Sequence, residues 1–169
     1  MTLQVIAGVD PGQTGAVALL ADGQPAGFVD MPTLTRKAGG EMVDAGHLAR
    51  SLRELLSKHP GASRYAVIER VAAMPQQGVS SVFRFGQADG VARGVIGALR
   101  LPLIDVPPLT WKRHLGLDNK DKDAARQLAI KLFPVIAVEL ARKKDIGRAD
   151  ALLVAYWAYV TEQIARKAA

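Results

Sequence analysis

The sequence has no cysteine and only three histidines in 169 residues. The first absence excludes a disulfide framework, a thiolate nucleophile and a cysteine zinc site, and fits a reducing cytosol. The second leaves no typical zinc centre, because the three imidazoles are scattered rather than spaced as ligands. Long apolar runs are missing too: the longest, residues 151–160, is far below the roughly 18 residues that suggest a membrane span. The amino terminus has no basic stretch followed by a signal core, so the chain reads as soluble, unexported and cytoplasmic, with no membrane partner. No linker, repeat or low-complexity tract divides it, and residues 1–169 read as one domain with room for a sizeable core.

What is present begins with charge. The chain carries 22 Lys and Arg against 16 Asp and Glu, a balance that favours a polyanionic partner, nucleic acid first. Residues 3–9, 16–21 and 26–30 read as three short strands, the last two joined by "DGQP", a turn that favours an antiparallel hairpin. A glycine-containing loop holding Arg36 and Lys37 follows. Leu48, Leu52, Leu55 and Leu56 then recur at helical spacing behind Asp44 as a cap, and "HPG" at 59–61 stops that helix. "YAVIE" is a buried-type strand ending at Glu69, followed by a helix over about 80–100 and the strand "LIDV". Strand, helix and strand in succession imply a parallel crossover. "PPLTWKRHLG" predicts a short helix opened by proline, and "DKDAARQLAIKLFP" a second one capped by Asp121 and stopped at Pro134. The last helix, about 146–166, is apolar on nearly every face from Ala149 to Val160 and should be buried rather than amphipathic. The expected fold class is α/β: a mixed five-stranded sheet, three antiparallel strands then two parallel ones, flanked by helices.

Three carboxylates stand in costly places. Asp10, in "VIAGVDPGQTGAV", and Glu69 each end a predicted buried strand, so parallel pairing of those strands would bring both to one edge. Asp150, in "GRADALLVAYW", lies on the helix that otherwise looks made for burial. Each has an ordinary reading: a turn residue at Asp10, a partner for Arg70 or Arg148 at Glu69, a first-turn acid at Asp150. Together they ask for a cation, since like charges about 4 Å apart repel by roughly 4 kcal/mol at an effective dielectric of 20. Hard oxygen ligands without Cys or clustered His point to Mg²⁺, with Mn²⁺ as a substitute, and the basic surroundings suggest a metal-dependent nuclease.

The order "GVDPGQTGAV", "VIE", "FGQADGVARGVI", "VPPLTWKRHLG", "GRADALLVA" resembles the RuvC-type Holliday-junction resolvases, particularly the short phage and bacterial forms, from Val5 to about Tyr159. The resemblance implies a ribonuclease-H-like fold, a homodimer in a bacterial or phage-infected cell, and symmetric nicking of four-way DNA junctions. Its catalytic, metal-binding acids fall on Asp10, Glu69 and Asp150. The implied reaction is in-line attack of water on a DNA phosphodiester, with two Mg²⁺ ions bridged by Asp10. Lys112, Lys120 and Lys122 match basic positions beside the scissile phosphate. Lys112, tied by "TWK" to an anchored Trp111, is the one expected to act on the transition state. Arg36, Lys37, Arg84 and Arg113 are expected to add contacts to branched DNA.

Two positions depart from the family. A fourth ligand, Asp or His, is expected one turn before the last Asp, where this chain has Gly147; Asp145 is near enough to serve, or to cap the helix instead. The aromatic expected shortly after the catalytic Glu is absent from "ERVAAMPQQG", leaving Met74 or Phe83 as substitutes. Gly86, Gly90 and Gly94 line one helix face, either for packing on the protein's own sheet or for a dimer interface, with Gln87 and Asp89 as polar candidates beside them. The readings that compete are a less selective branched-DNA nuclease of phage type, a non-catalytic junction-binding protein, and an actin-like ATPase suggested by "DPGQTG".

Overall fold

The computed structural model describes residues 3–37, 39–73, 76–121 and 123–168. Strand β1 (Gln4–Asp10) has no polar side chain from Val5 to Val9 because it is covered on both faces, the pattern of a central strand in a helix-covered sheet. It pairs antiparallel with β2 (Ala16–Ala21), and β2 pairs antiparallel with β3 (Gln24–Asp30). The β2–β3 hairpin is the expected one, but β3 starts two residues earlier and its turn is only Asp22 and Gly23 of "DGQP", both at positive φ, a backbone twist that suits a tight hairpin. The Asp22 carboxylate accepts the Gln4 amide N–H at 2.9 Å, tying the turn back to β1.

The next segment differs from expectation. Where a plain loop was predicted, β4 (Thr33–Thr35) and β5 (Glu41–Val43) form a small antiparallel hairpin with Arg36 and Lys37 in its turn. Its strands are three residues long and mostly exposed, too short to show a two-residue alternation in sequence. Helix α1 (Ala45–Ser57) is capped by Asp44, whose side chain accepts the His47 N–H, and it buries Leu48, Leu52 and Leu56. Strand β6 (Ser63–Glu69), helix α2 (Val79–Ala98) and strand β7 (Leu103–Val106) then complete the parallel crossover. The sheet order is β3-β2-β1-β6-β7, with β1, β6 and β7 parallel.

Helix α3 (Pro108–His114) starts on its proline. Helix α4 (Ala124–Leu132) begins behind Asp123, but it is Asp121, as expected, whose carboxylate accepts the amide N–H groups of Asp123 and Ala124. Two 3-10 stretches not foreseen in the sequence, Pro134–Leu140 and Lys143–Asp145, lead into α5 (Ile146–Ala168). No described helix is long and apolar enough to cross a membrane.

Alternation along the strands decides which way each side chain faces. Val5, Ala7 and Val9 join the core under α1 and α2, whereas Ile6 joins the core under α5 with Val67 of β6. Counting on by twos, Asp10 and Glu69 fall on the α5 face. Helix α5 lies unusually close to β1: a Cβ on Gly8 would stand 1.9 Å from the Ala151 carbonyl oxygen and 2.7 Å from the Ala155 nitrogen. Residues Ala149 and Ala151 to Ala155 are fully buried, which bears out the reading of this helix as a core element.

Candidate active site

The parallel pairing of β1 with β6 sets Val9 opposite Ile68, so Asp10 and Glu69 leave the sheet at one edge. Asp150, one turn into α5 on the side that meets β1, faces them. Burial pushes the Asp10 carboxyl up to about 6; Glu69 adds to the rise, while the Gly12 N–H and Lys112 oppose it. Asp150 is pushed further, to about 7, by burial first and then by Asp10, with Lys112 again opposing and Glu69 adding a smaller push. One Asp150 oxygen, Oδ1, is buried with no hydrogen-bond partner among the described residues. A buried carboxylate oxygen without a donor is costly, and here its neighbours are other acids.

Glu69 has a donor. The indole N–H of Trp111 reaches its Oε2 at 2.7 Å, and Trp111 is fully buried. Lys112 follows in α3 with its ammonium 5.1 Å from the centre of the same indole ring. This is the anchoring that "TWK" suggested for the lysine; the indole's bond to Glu69 was not foreseen. Beside the acids a cavity of about 280 Å³ is lined by Lys112, Lys120, Asp121, Ile146 and Asp150, among others. Among the described residues, no three His, Asp or Glu side chains close around a single point tightly enough to enclose one ion. The set therefore suits a cation that takes one or two carboxylates and completes its shell from substrate and water, as Mg²⁺ commonly does.

Glycine at 147 has a steric reason. A Cβ there would meet the Thr14 carbonyl oxygen at 2.5 Å and the Gly15 Cα at 2.9 Å, so the place where a fourth ligand was expected is closed by backbone. Asp145 does not take over. Its carboxylate is buried, pairs with the Arg142 guanidinium at 2.7 Å and accepts the Arg142 amide N–H at 2.8 Å. That pairing holds it below the usual carboxylate range. It lines a separate cavity with Asp30, Arg142 and Arg148, so the helix-entry role is the one it fills. Arg148, considered as a partner for Glu69, instead binds Asp30 at 2.6 Å and Glu139 at 3.0 Å.

The other basic candidates spread wider. Arg113 and Lys120 are exposed near Lys112. Arg36 donates to the Gln87 side chain at 2.5 Å and lines a cavity of about 260 Å³ with Gln13, Arg84, Gln87 and Gly90. Arg84 and Lys37 are exposed, and Asp89 pairs with Arg93. Phe83 is 63% exposed, an aromatic face free for stacking. Lys122 and Met74 lie outside the described residues. For Gly86, Gly90 and Gly94 the choice narrows: beyond the helix's own backbone, a Cβ on any of them would meet no atom of the described residues within 4 Å, so the glycine face does not pack on the protein's own sheet.

No family model matches the chain. It is 34% identical over 137 residues, 78% of its length, to a chloroplastic Holliday junction resolvase of Chlamydomonas reinhardtii, of which it spans only 15%. Among solved structures it is similar to Thermus thermophilus RuvC in complex with a Holliday junction substrate, with a TM-score of 0.58, 17% identity, and 95% of this chain and 96% of that one covered. It is also similar to a further Thermus thermophilus RuvC structure, with a TM-score of 0.53, 18% identity and the same coverage. With its sheet order, its strand-end acids and this agreement over nearly the whole length, the chain has the ribonuclease-H-like fold of RuvC.

Proposed function

We propose that this chain is a structure-specific endodeoxyribonuclease that resolves four-way DNA junctions by paired symmetric nicks. The observation that carries the reading is the meeting of Asp10, Glu69 and Asp150 beside Lys112, with a buried oxygen on Asp150 that has no hydrogen-bond partner among the described residues. Those residues fit hard divalent cations, Mg²⁺ by preference with Mn²⁺ substituting, and Asp10, Glu69 and Asp150 would supply the protein ligands, one or two carboxylates to an ion. Such an ion neutralises phosphate charge and acidifies water. The chain's own residues do the rest. The three carboxylates exclude phosphate until their charge is balanced, and they are fixed by β1, β6 and α5 rather than by loops. Lys112, held over the Trp111 ring, faces the negative charge that develops on the phosphate under attack. Arg36, Lys37, Arg84, Arg113, Lys120 and Lys122 bind phosphates and set register without reading sequence.

The test is cleavage of a synthetic four-way junction with Mg²⁺, against Y-shaped and linear DNA. Paired nicks confined to the four-way substrate support the proposal, equal cutting of all three assigns the less selective nuclease, and binding without cutting assigns a junction-binding protein. In the same assay Lys112→Ala lowers the single-turnover rate about 100-fold while the junction dissociation constant changes less than about threefold, since only interactions strengthened in the transition state speed the step. Weaker binding with an unchanged rate would make the lysine part of the basic surface alone.

We further propose that the chain acts as one domain in a homodimer whose twofold axis matches the junction, in the cytoplasm of a bacterial or phage-infected cell. The open glycine face of α2 supports such an interface. Gly90→Leu adds a side chain where the protomer has space, so thermal stability holds or rises by up to about 1 kcal/mol through helix propensity. Sedimentation then reports monomer, and paired nicking is lost. A variant that stays dimeric puts the interface elsewhere.

A further inference from the structure

The indole of Trp111 touches two groups at once. Its edge donates to Glu69 Oε2 at 2.7 Å, and its face lies 5.1 Å from the Lys112 ammonium. The ring itself is fully buried in the core beneath α5. We infer that Trp111 is a positioning residue: it pins one oxygen of Glu69, leaves the other free for the cation, and fixes Lys112 at a set distance from that carboxylate. The inference rests on the proposed metal-dependent nuclease reading.

The chemistry of indole makes the assignment specific. Its N–H can only donate, so Trp111 cannot itself be a ligand and needs an acceptor, which Glu69 Oε2 supplies. At 2.7 Å the contact is at the short end for a nitrogen donor. Glu69 ends β6, and a glutamate has three side-chain torsions to fix. Among the described residues one Asp150 oxygen has no donor, so the cluster's geometry depends on its other members being held. A buried indole also needs a partner for its N–H, and in this core that partner is a carboxylate of the site. The ring face adds a second constraint, because an ammonium is drawn to the negative π surface. One rigid side chain thus sets the spacing between acid and base. Partners that orient a metal ligand are typically worth ten- to a hundredfold in metal affinity or activity.

The experiment uses the full chain. The sequence contains two tryptophans, so two indole N–H signals are expected in a ¹H–¹⁵N spectrum, and Trp157→Phe assigns them; Trp157 lines a separate groove with Tyr65 and Ile104. Titration with MgCl₂ in the absence of DNA shifts the Trp111 signal and leaves that of Trp157 in place. Trp111→Phe keeps the ring but removes the N–H. It raises the Mg²⁺ concentration for half-maximal cleavage ten- to a hundredfold, while the rate at saturating Mg²⁺ falls less than about threefold. A residue with a merely structural role would lower the active fraction without moving the Mg²⁺ midpoint. An unmoved midpoint together with a Trp111 signal indifferent to Mg²⁺ overturns the positioning role and leaves the nuclease reading standing. If the wild-type protein neither responds to Mg²⁺ nor cleaves the junction, the nuclease reading fails and takes this inference with it. Should Trp111→Phe not fold, the wild-type indole titration decides alone.

Discussion

Asp150→Asn melts several degrees higher than the wild-type protein at pH 8 without metal, and it does not cleave. The Asp150 carboxyl is pushed up to about 7, first by burial and then by Asp10. Below about pH 4 the group is protonated in both folded and unfolded chains and has no effect on stability. As pH rises from about 4 to about 7 the unfolded chain ionises while the folded one keeps its proton, so stability falls, and above about 7 the loss is complete. A rise of three units corresponds to about 4 kcal/mol. Part of it is shared with Asp10, so removing the charge at Asp150 returns on the order of 2 kcal/mol, or about 4–8 °C for a chain of this size. At pH 4 the two proteins melt together. Millimolar Mg²⁺ at pH 8 closes the gap by stabilising the wild type alone, and EDTA reopens it. Calorimetry at the two pH values checks this; equal melting temperatures at pH 8 would show that Asp150 carries no buried charge.

Gly8→Ala has the larger effect on folding. The added Cβ would stand 1.9 Å from the Ala151 carbonyl oxygen and 2.7 Å from the Ala155 nitrogen, both backbone atoms of the buried part of α5, and neither can swing aside. Overpacking usually costs 1–3 kcal/mol where side chains can shift. Here a helix must move off a central strand, so about 3 kcal/mol or more is expected, against a total stability of about 5–15 kcal/mol. Urea denaturation measures the loss. Any folded fraction should bind junction DNA yet cleave slowly, because Asp150 directly precedes the displaced Ala151. A stable, fully active Gly8→Ala protein would mean that α5 does not sit on β1 as described.

How much of this could be read beforehand varied with the physics of each residue. Asp10 and Glu69 were legible because a charge at the end of a strand with a buried apolar run is conspicuous, and the same holds for Asp150 at the head of the apolar stretch of α5, residues 151–160. The five-stranded sheet followed from runs of apolar residues and the turn residues of "DGQP", both local signals. Gly147 was seen as a departure but not explained, since its cause is the carbonyl of Thr14, more than a hundred residues away in sequence. Asp145 stayed ambiguous for the same reason: only the folded chain closes Arg142 around it. The hairpin carrying Arg36 and Lys37 was missed because three-residue exposed strands leave no periodic trace. The indole of Trp111 was recognised as an anchor, but nothing in "TWK" says that the group it holds on its other edge is Glu69.

The burial of α5 has a consequence for where the molecule opens. Amide protons of residues whose surroundings are fully buried, such as Ala151 to Ala155, exchange with solvent deuterium only when the whole domain unfolds. The β4–β5 hairpin is hydrogen-bonded as a sheet of its own, apart from the five-stranded one, and its amides should exchange through local opening orders of magnitude sooner. The carboxylate of Asp150 thus rides on the last part of the chain to loosen, and the proposed phosphate contacts Arg36 and Lys37 on one of the first. If the chain resolves junctions as proposed, a hairpin that breathes can grip arms of differing angle while the acids on β1, β6 and α5 keep their spacing.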